Sequence, residues 1–309
     1  VPDTDTPFEI RRDPARTELI VSAGATDVAH YVYRPDSPIE ESPKPYLYPL
    51  TTLSGAPLGV YRPWDHRWHK GLQMTWTHVS GDNFWGGPTF ERGAPGHGYV
   101  WRSNQGRQRH RDFEVCESGG AEVSVRERLD WIASSDAVWL DETRTLRFHG
   151  ADAGRGVWAL DFTTLLANVH DRPLVLGSPT TLGRPNAGYT GLFWRGPRAW
   201  TGADIMAADG RSGEGIMGVQ AQWAAIAGEH DERDGGATVL AYAGTSSAAV
   251  PVKWFARSST FACLNPSPAF DTEIGLEPGQ TLSLAHRFVF IDRKLDRGEL
   301  ESYAKEFAF

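Results

Sequence analysis

Residues 121–148 read AEVSVRERLDWIASSDAVWLDETRTLRF. Val123, Val125, Leu129 and Trp131 recur at even spacings, as do Leu140, Leu146 and Phe148. Successive side chains of a strand point to opposite faces, so each set shares one face. The same alternation returns in Trp158, Leu160, Phe162 and Leu166, and in Leu282, Leu284, Phe288 and Phe290. Between such runs stand Gly, Pro, Asn and Asp, and the chain holds 33 Gly and 20 Pro in 309 residues. Many short alternating runs broken by turn residues predict an all-β protein, a large antiparallel β-sandwich whose apolar faces pack between two sheets. Helical spacing is clear only near the end, where Leu300, Tyr303, Ala304 and Phe307 follow i, i+3, i+4, i+7 and predict a short C-terminal helix. No repeat or linker interrupts the pattern, so residues 1–309 are expected to form a single β-sandwich domain.

Polar residues intrude on these apolar faces: Glu127, then Glu142 with Arg144, then His286. A buried charge needs a partner. Either Glu142 pairs with Arg144 as a structural element, or the strands line a concave cleft and Glu142 is a catalytic acid.

Composition narrows the function. A net charge of −8 and a pI near 5.7 argue against a nucleic-acid partner and against a polybasic membrane anchor. No apolar run reaches the length of a membrane span. Two cysteines, Cys116 and Cys263, are too few for a disulfide scaffold and are expected to be buried thiols; one bridge is allowed but not required. The opening VPDTDTPFEIRRD lacks the apolar stretch of a signal peptide, and a cytoplasmic location is expected. The absence of an initiator Met leaves room for a trimmed segment. A GxSxG elbow, a P-loop and a Rossmann fingerprint are all missing, and no cofactor is expected. A homo-oligomer is allowed.

Chemistry concentrates in residues 61–85, YRPWDHRWHKGLQMTWTHVSGDNFW. Asp65, His66, His69 and His78 sit among Trp64, Trp68, Trp76, Phe84 and Trp85, beside Arg62, Arg67 and Lys70. Histidine can be acid, base or metal ligand near neutral pH. Flat aromatics beside polar groups suit a sugar. His66 and His69 are three apart, which brings imidazoles together on a helical turn and parts them on a strand. Arg62-Pro63 before them and Gly71 after them favour a loop or short turn. A metal would need a third ligand, from Asp65, His78 or His97, and no metal is expected. Three further stretches supply candidates. His97 stands between glycines on a turn. Arg184, Asn186 and Arg195 can bind hydroxyls, a carboxylate or an enolate oxygen. Trp254, near Arg257, can wall a sugar site or belong to the core.

The order PYLYPLTTLSGAPLG, RPWDHRWHKGL, NFWGG, Gly96-His97-Gly98, DETRTLRF, GYTGLFWR and VPVKWFARSSTFACLNPSPAF resembles the PmoA-type family of proteins of unknown function, over about residues 40–295. The usual form of its central motif is roughly DHPHHKG; here Trp68 replaces the first of the adjacent histidines. The methane-oxygenase label sometimes attached to that family is rejected, because such a subunit needs several apolar spans. The resemblance implies a galactose-mutarotase-like supersandwich, a group that includes aldose epimerases and carbohydrate lyases and hydrolases.

The expected function is an enzyme on a small-molecule carbohydrate, cleaving a glycoside or an oxidised (3-keto) glycoside. His66 or His69 would be the base, His97 an acid, and Arg184 or Arg195 the enolate holder. In the hydrolytic variant Glu127 and Glu142 are the carboxylate pair. Arg62, Trp64, Asp65, Lys70, Trp76, Trp85, Asn186 and Trp254 complete the expected substrate contacts. The alternatives are an aldose 1-epimerase and a non-catalytic carbohydrate-binding protein.

Overall fold

A computed structural model describes residues 6–95 and 97–309. Two antiparallel eight-stranded sheets dominate it. The strand pair predicted from residues 121–148 forms as Glu122–Ile132 against Val138–Asp152, with Val123 opposite Phe148, Val125 opposite Leu146 and Trp131 opposite Leu140. These lie in the sheet ordered Asp204–Ala207, Trp223–Glu229, Gly236–Ser246, Thr281–Ile291, Val157–Asn168, Val138–Asp152, Glu122–Ile132 and Arg107–Ser118. The other sheet, the site-bearing one, is ordered Phe8–Asp13, Glu18–Ala23, Thr26–Val32, Tyr46–Leu50, Leu72–Trp76, Thr190–Arg195, Cys263–Ser267 and Lys253–Arg257.

The alternating faces meet between the sheets. Val123, Leu146, Phe162, Leu284 and Phe288 from one side join Leu19, Met74, Trp76, Leu192, Trp194 and Trp254 from the other in one buried cluster. Burial of such apolar area is the main favourable term in folding. A second cluster covers the far face of the first-described sheet, where Val157, Leu240 and Val289 pack against Leu300, Tyr303 and Ala304. Those three belong to the predicted C-terminal helix, Arg297–Glu306. Its start is fixed by a capping box, in which Asp296 accepts from Glu299 N–H at 2.9 Å and Glu299 accepts from Asp296 N–H at 3.2 Å. No described helix is long and apolar enough to cross a membrane. The thiols are unbridged, and Cys116 is exposed where a buried thiol was expected, because it sits near the end of the edge strand Arg107–Ser118.

The polar residues on the inward faces form a closed network. Arg144 donates twice to Glu142, from Nε and Nη2 at 2.8 Å each, and also to Tyr31 at 3.0 Å and Gln108 at 2.9 Å. Glu142 further accepts from Trp131 Nε1 and Thr164 Oγ1, both at 2.7 Å. Glu127 is bonded to His110 at 2.6 Å and to the Tyr31 hydroxyl. His286 donates from Nδ1 to the Ala243 carbonyl at 2.8 Å, and burial pushes its pKa down to about 4, so it is neutral. The structure therefore answers the inward acids with partners.

Candidate functional site

The other face of the site-bearing sheet carries a third apolar cluster: Trp85, Phe193, Phe255, Phe261, Cys263 and Phe270. The pleat explains its membership. Phe193 points away from Leu192 and Trp194, and Phe255 away from Trp254. Over this face folds the loop of residues 61–71. Its base is closed by Arg62 N–H to His69 O at 2.9 Å and Gly71 N–H to Val60 O at 3.0 Å. Inside it two turns follow one another, His66 N–H to Pro63 O at 3.0 Å and His69 N–H to His66 O at 2.9 Å. Each advances three residues, so the imidazoles of His66 and His69 come out stacked, 4.8 Å apart and 17° from parallel. Gly71 is required at its place: its φ is +56° and a Cβ would stand 2.2 Å from the Leu47 carbonyl. Gly86 and Gly87 let the Trp68 ring seat closely, since a Cβ on Gly87 would meet that ring at 2.5 Å.

A cavity of about 240 Å³ opens beside the histidine pair. His66, His69, Trp85, Tyr189, Phe255 and Phe261 form part of its wall, and Arg184, Arg257 and His78 add polarity. Its size falls just below the usual range for ligand sites, about 300–1,000 Å³. No Asp or Glu lines it among the described residues.

The electrostatics are set by burial. Desolvation lowers the His66 pKa, with Arg195 and Arg198 adding to the effect and Asp65 opposing it. Asp65 Oδ2 lies 3.3 Å from His66 Nδ1, but the angle leaves that nitrogen without a hydrogen bond. His69 is held well below the ordinary range by burial, His66, Arg195 and Lys44. Its Nδ1 has no partner among the described residues. Burial therefore holds both rings neutral, His69 the more strongly, which leaves His66 the better proton acceptor of the two. Arg195 is 1% exposed, stacks over Phe261 at 3.7 Å, and leaves Nε and Nη1 unpartnered among the described residues; burial brings its pKa down to about 10. Among the described residues Arg257 also lacks a partner on Nε. Arg184 donates to the hydroxyls of Tyr99 and Tyr189, the latter at 3.3 Å, and the two phenols bond each other.

The structure sorts the predicted residues. His66, His69, Trp85 and Arg184 line the cavity. Asp65 flanks His66 and pairs with Arg198 at 2.6 Å, and Arg195 lies behind Phe261. Arg62 and Lys70 do not reach in; both turn to Glu41, at 2.6 and 2.9 Å. Trp64 is 80% exposed, and His97 and Asn186 stand at exposed turns with left-handed φ of 61° and 52°. Glu142 sits in the network between the sheets, and Trp76 and Trp254 face the inter-sheet core, their indole N–H groups bonded to Gly177 O and Ala221 O. Sequence reasoning missed Tyr99, Tyr189, Phe255, Arg257 and Phe261 as wall residues. The last four lay inside quoted motifs, and strand alternation from Trp254 marks Phe255 and Arg257 as the opposite face. Among the described residues no group of three His, Cys, Asp or Glu side chains gathers into a metal-holding cluster.

A family of unknown function (DUF6807) matches residues 18–305. The chain belongs to this family. The match does not carry the PmoA-type name that the motifs suggested. No curated protein matches. Among solved structures, a GH36 α-galactosidase from Geobacillus stearothermophilus shares 12% identity at a TM-score of 0.42, covering 93% of this chain and 41% of that one. A GH36 α-galactosidase from the same organism, in complex with raffinose, shares 13% at 0.40, covering 72% and 32%. A polysaccharide lyase shares 10% at 0.36, covering 98% and 34%. The chain thus spans between about a third and two-fifths of the length of these solved proteins.

Proposed function

We propose that this DUF6807 protein is a carbohydrate lyase that removes an acidic C–H proton with the His66–His69 pair. The observation that carries the reading is the pair itself: two stacked neutral imidazoles on a cavity whose described lining has cations and aromatics but no carboxylate. Hydrolysis by two carboxyl groups needs an acid on each side of the scissile bond. Glu127 and Glu142 do not supply that pair, since both are bonded within the inter-sheet network. A carbonyl beside the C–H, as in a 3-keto glycoside, makes the proton removable. His66 or His69 accepts it, the electron pair becomes an enolate facing Arg184 and Arg257, and the glycosidic C–O bond breaks as the double bond forms. Burial keeps Tyr189 protonated, so the Tyr99–Tyr189 pair offers an O–H to the departing oxygen. Trp85 and Phe255 give flat faces for a sugar ring. The PmoA-type resemblance and a mutarotase-like supersandwich fit this class. The described residues act as a single domain, and the unbridged cysteines suit a reducing, cytoplasmic compartment.

The test is proton NMR in heavy water on matched native and 3-keto glycosides. Aglycone release or deuterium uptake beside the ketone, in the keto series only, is the expected result. Faster anomer interconversion of free sugar with glycosides untouched would replace the lyase with an epimerase. Binding with no turnover of any pair would leave a carbohydrate-binding protein.

A further inference from the structure

The chain carries a net charge of −8, yet its cavity is lined by two arginines and, among described residues, by no acid. Among the described residues, the acids that act on the lining side chains are already engaged. Asp65 is bonded to Arg198 at 2.6 Å, and Glu214 accepts from Ser258 and Ser259 N–H at 3.1 Å each. Asp82 holds Ser134, and Glu273 lies against Thr181 at 3.3 Å. Arg257 makes no side-chain hydrogen bond or ion pair among the described residues; its guanidinium rests over Phe255 at 4.7 Å, with a buried, unpartnered Nε. Arg184 reaches the same cavity with only neutral phenols as partners. Both guanidinium groups are half-buried, and Glu214, the acid that feels the charge of Arg257, makes no ion pair with it; such cations gain from an anion that pairs with them directly. The planar fork of a guanidinium matches a carboxylate, where an ammonium would be a point charge.

We infer that the cavity is built for a sugar that carries its own carboxylate, a uronide, with Arg257 and Arg184 as the carboxylate cradle. The inference rests on the acid–base reading above and names its substrate class. The aromatic walls take the ring's apolar face, and the two guanidinium groups take the anion. Pairing the carboxylate with cations also acidifies the C–H beside it. The proton of that C–H passes to His66 or His69, and its electron pair forms a carbon–carbon double bond. The C–O bond on the adjacent carbon breaks, and the departing oxygen takes a proton from the tyrosine pair. The step balances without oxidant or reductant.

The test is calorimetric titration of the whole protein with methyl uronides of several configurations and with the matching neutral methyl glycosides. At least one uronide should bind about 10–100-fold tighter than its neutral partner, the range expected for hydrogen bonds to a charged group. Arg257→Gln should erase that preference. Arg257→Lys, which keeps the charge and loses the fork, should keep part of it, and covers the case in which the first variant fails to fold. Equal binding of both series, a preference that survives Arg257→Gln, tighter binding of sugar phosphates, or no binding of either series each overturns the inference. The underlying reading fails separately: His66→Gln and His69→Gln variants that both bind and convert substrate like the parent would remove it. Turnover of neutral 3-keto glycosides with no uronide preference would keep it and discard the uronide.

Discussion

Arg144 and Arg195 are each 1% exposed, but they occupy opposite kinds of surroundings. Arg144 is bonded to Glu142, Tyr31 and Gln108, and the acids around it are bonded in turn. Arg195 has an aromatic ring beneath it and two nitrogens with no partner among the described residues. The same contrast separates Glu127 and Glu142 from the stacked imidazoles of His66 and His69. A fully partnered buried network secures a fold and has nothing left to offer a ligand. An under-partnered cluster beside a cavity is costly when empty, and that cost is recovered when a ligand supplies the missing partners.

The largest expected break in this comparison is catalytic. His66→Gln and His69→Phe should each lower turnover of an accepted substrate by about 10²–10⁴-fold, the worth of one acid–base group. Thermal unfolding should move less than for any change in the closed network. In that network, Arg144→Met leaves Glu142 buried without its cation. It should cost about 3–5 kcal/mol in denaturant unfolding, with the surviving folded fraction still active.

Acid should reach both regions through their buried histidines. A His whose folded pKa is lowered contributes full stability above its ordinary value and loses it as pH falls. For His286 the window runs from 6.5 down to about 4, on the order of 3 kcal/mol at its lower end. His69 adds to the loss in the same direction. Chemical denaturation between neutral and acidic pH should show the decline, and His286→Leu should make it shallower. The smallest of these effects belongs to the loop contact. Gly87→Ala would force a methyl to 2.5 Å from the Trp68 ring at a φ of +71°, with an expected cost of about 1–3 kcal/mol, readable in the melting temperature.

The sandwich was legible early, because strand alternation is local: Val123, Val125 and Trp131 announce a face wherever the strand goes. Glu142 with Arg144 was legible too, as one of two readings; only the partners Trp131, Thr164 and Gln108, from elsewhere along the chain, show it bonded within the core. The histidine pair was visible from spacing, and the turn that stacks it was anticipated by Pro63 and Gly71. The rest of the wall was hidden for a physical reason. Alternation says that Trp254 and Phe255 point opposite ways, but not which way is core and which is cavity. Trp76 against Thr77 poses the same ambiguity, and there too the cavity takes the smaller neighbour. Tyr99 arrives on the short pairing of Thr89–Phe90 with Tyr99–Val100, whose two-residue strands leave no periodic signal.

The most direct test needs no substrate: thermal unfolding of Arg195→Met beside Arg144→Met. If Arg195 is a buried cation without a counter-charge, its methionine variant will melt at or above the parent temperature while Arg144→Met melts far below it. An Arg195→Met protein destabilised as much as Arg144→Met would mean that its charge is as well compensated as Arg144, and would contradict the account.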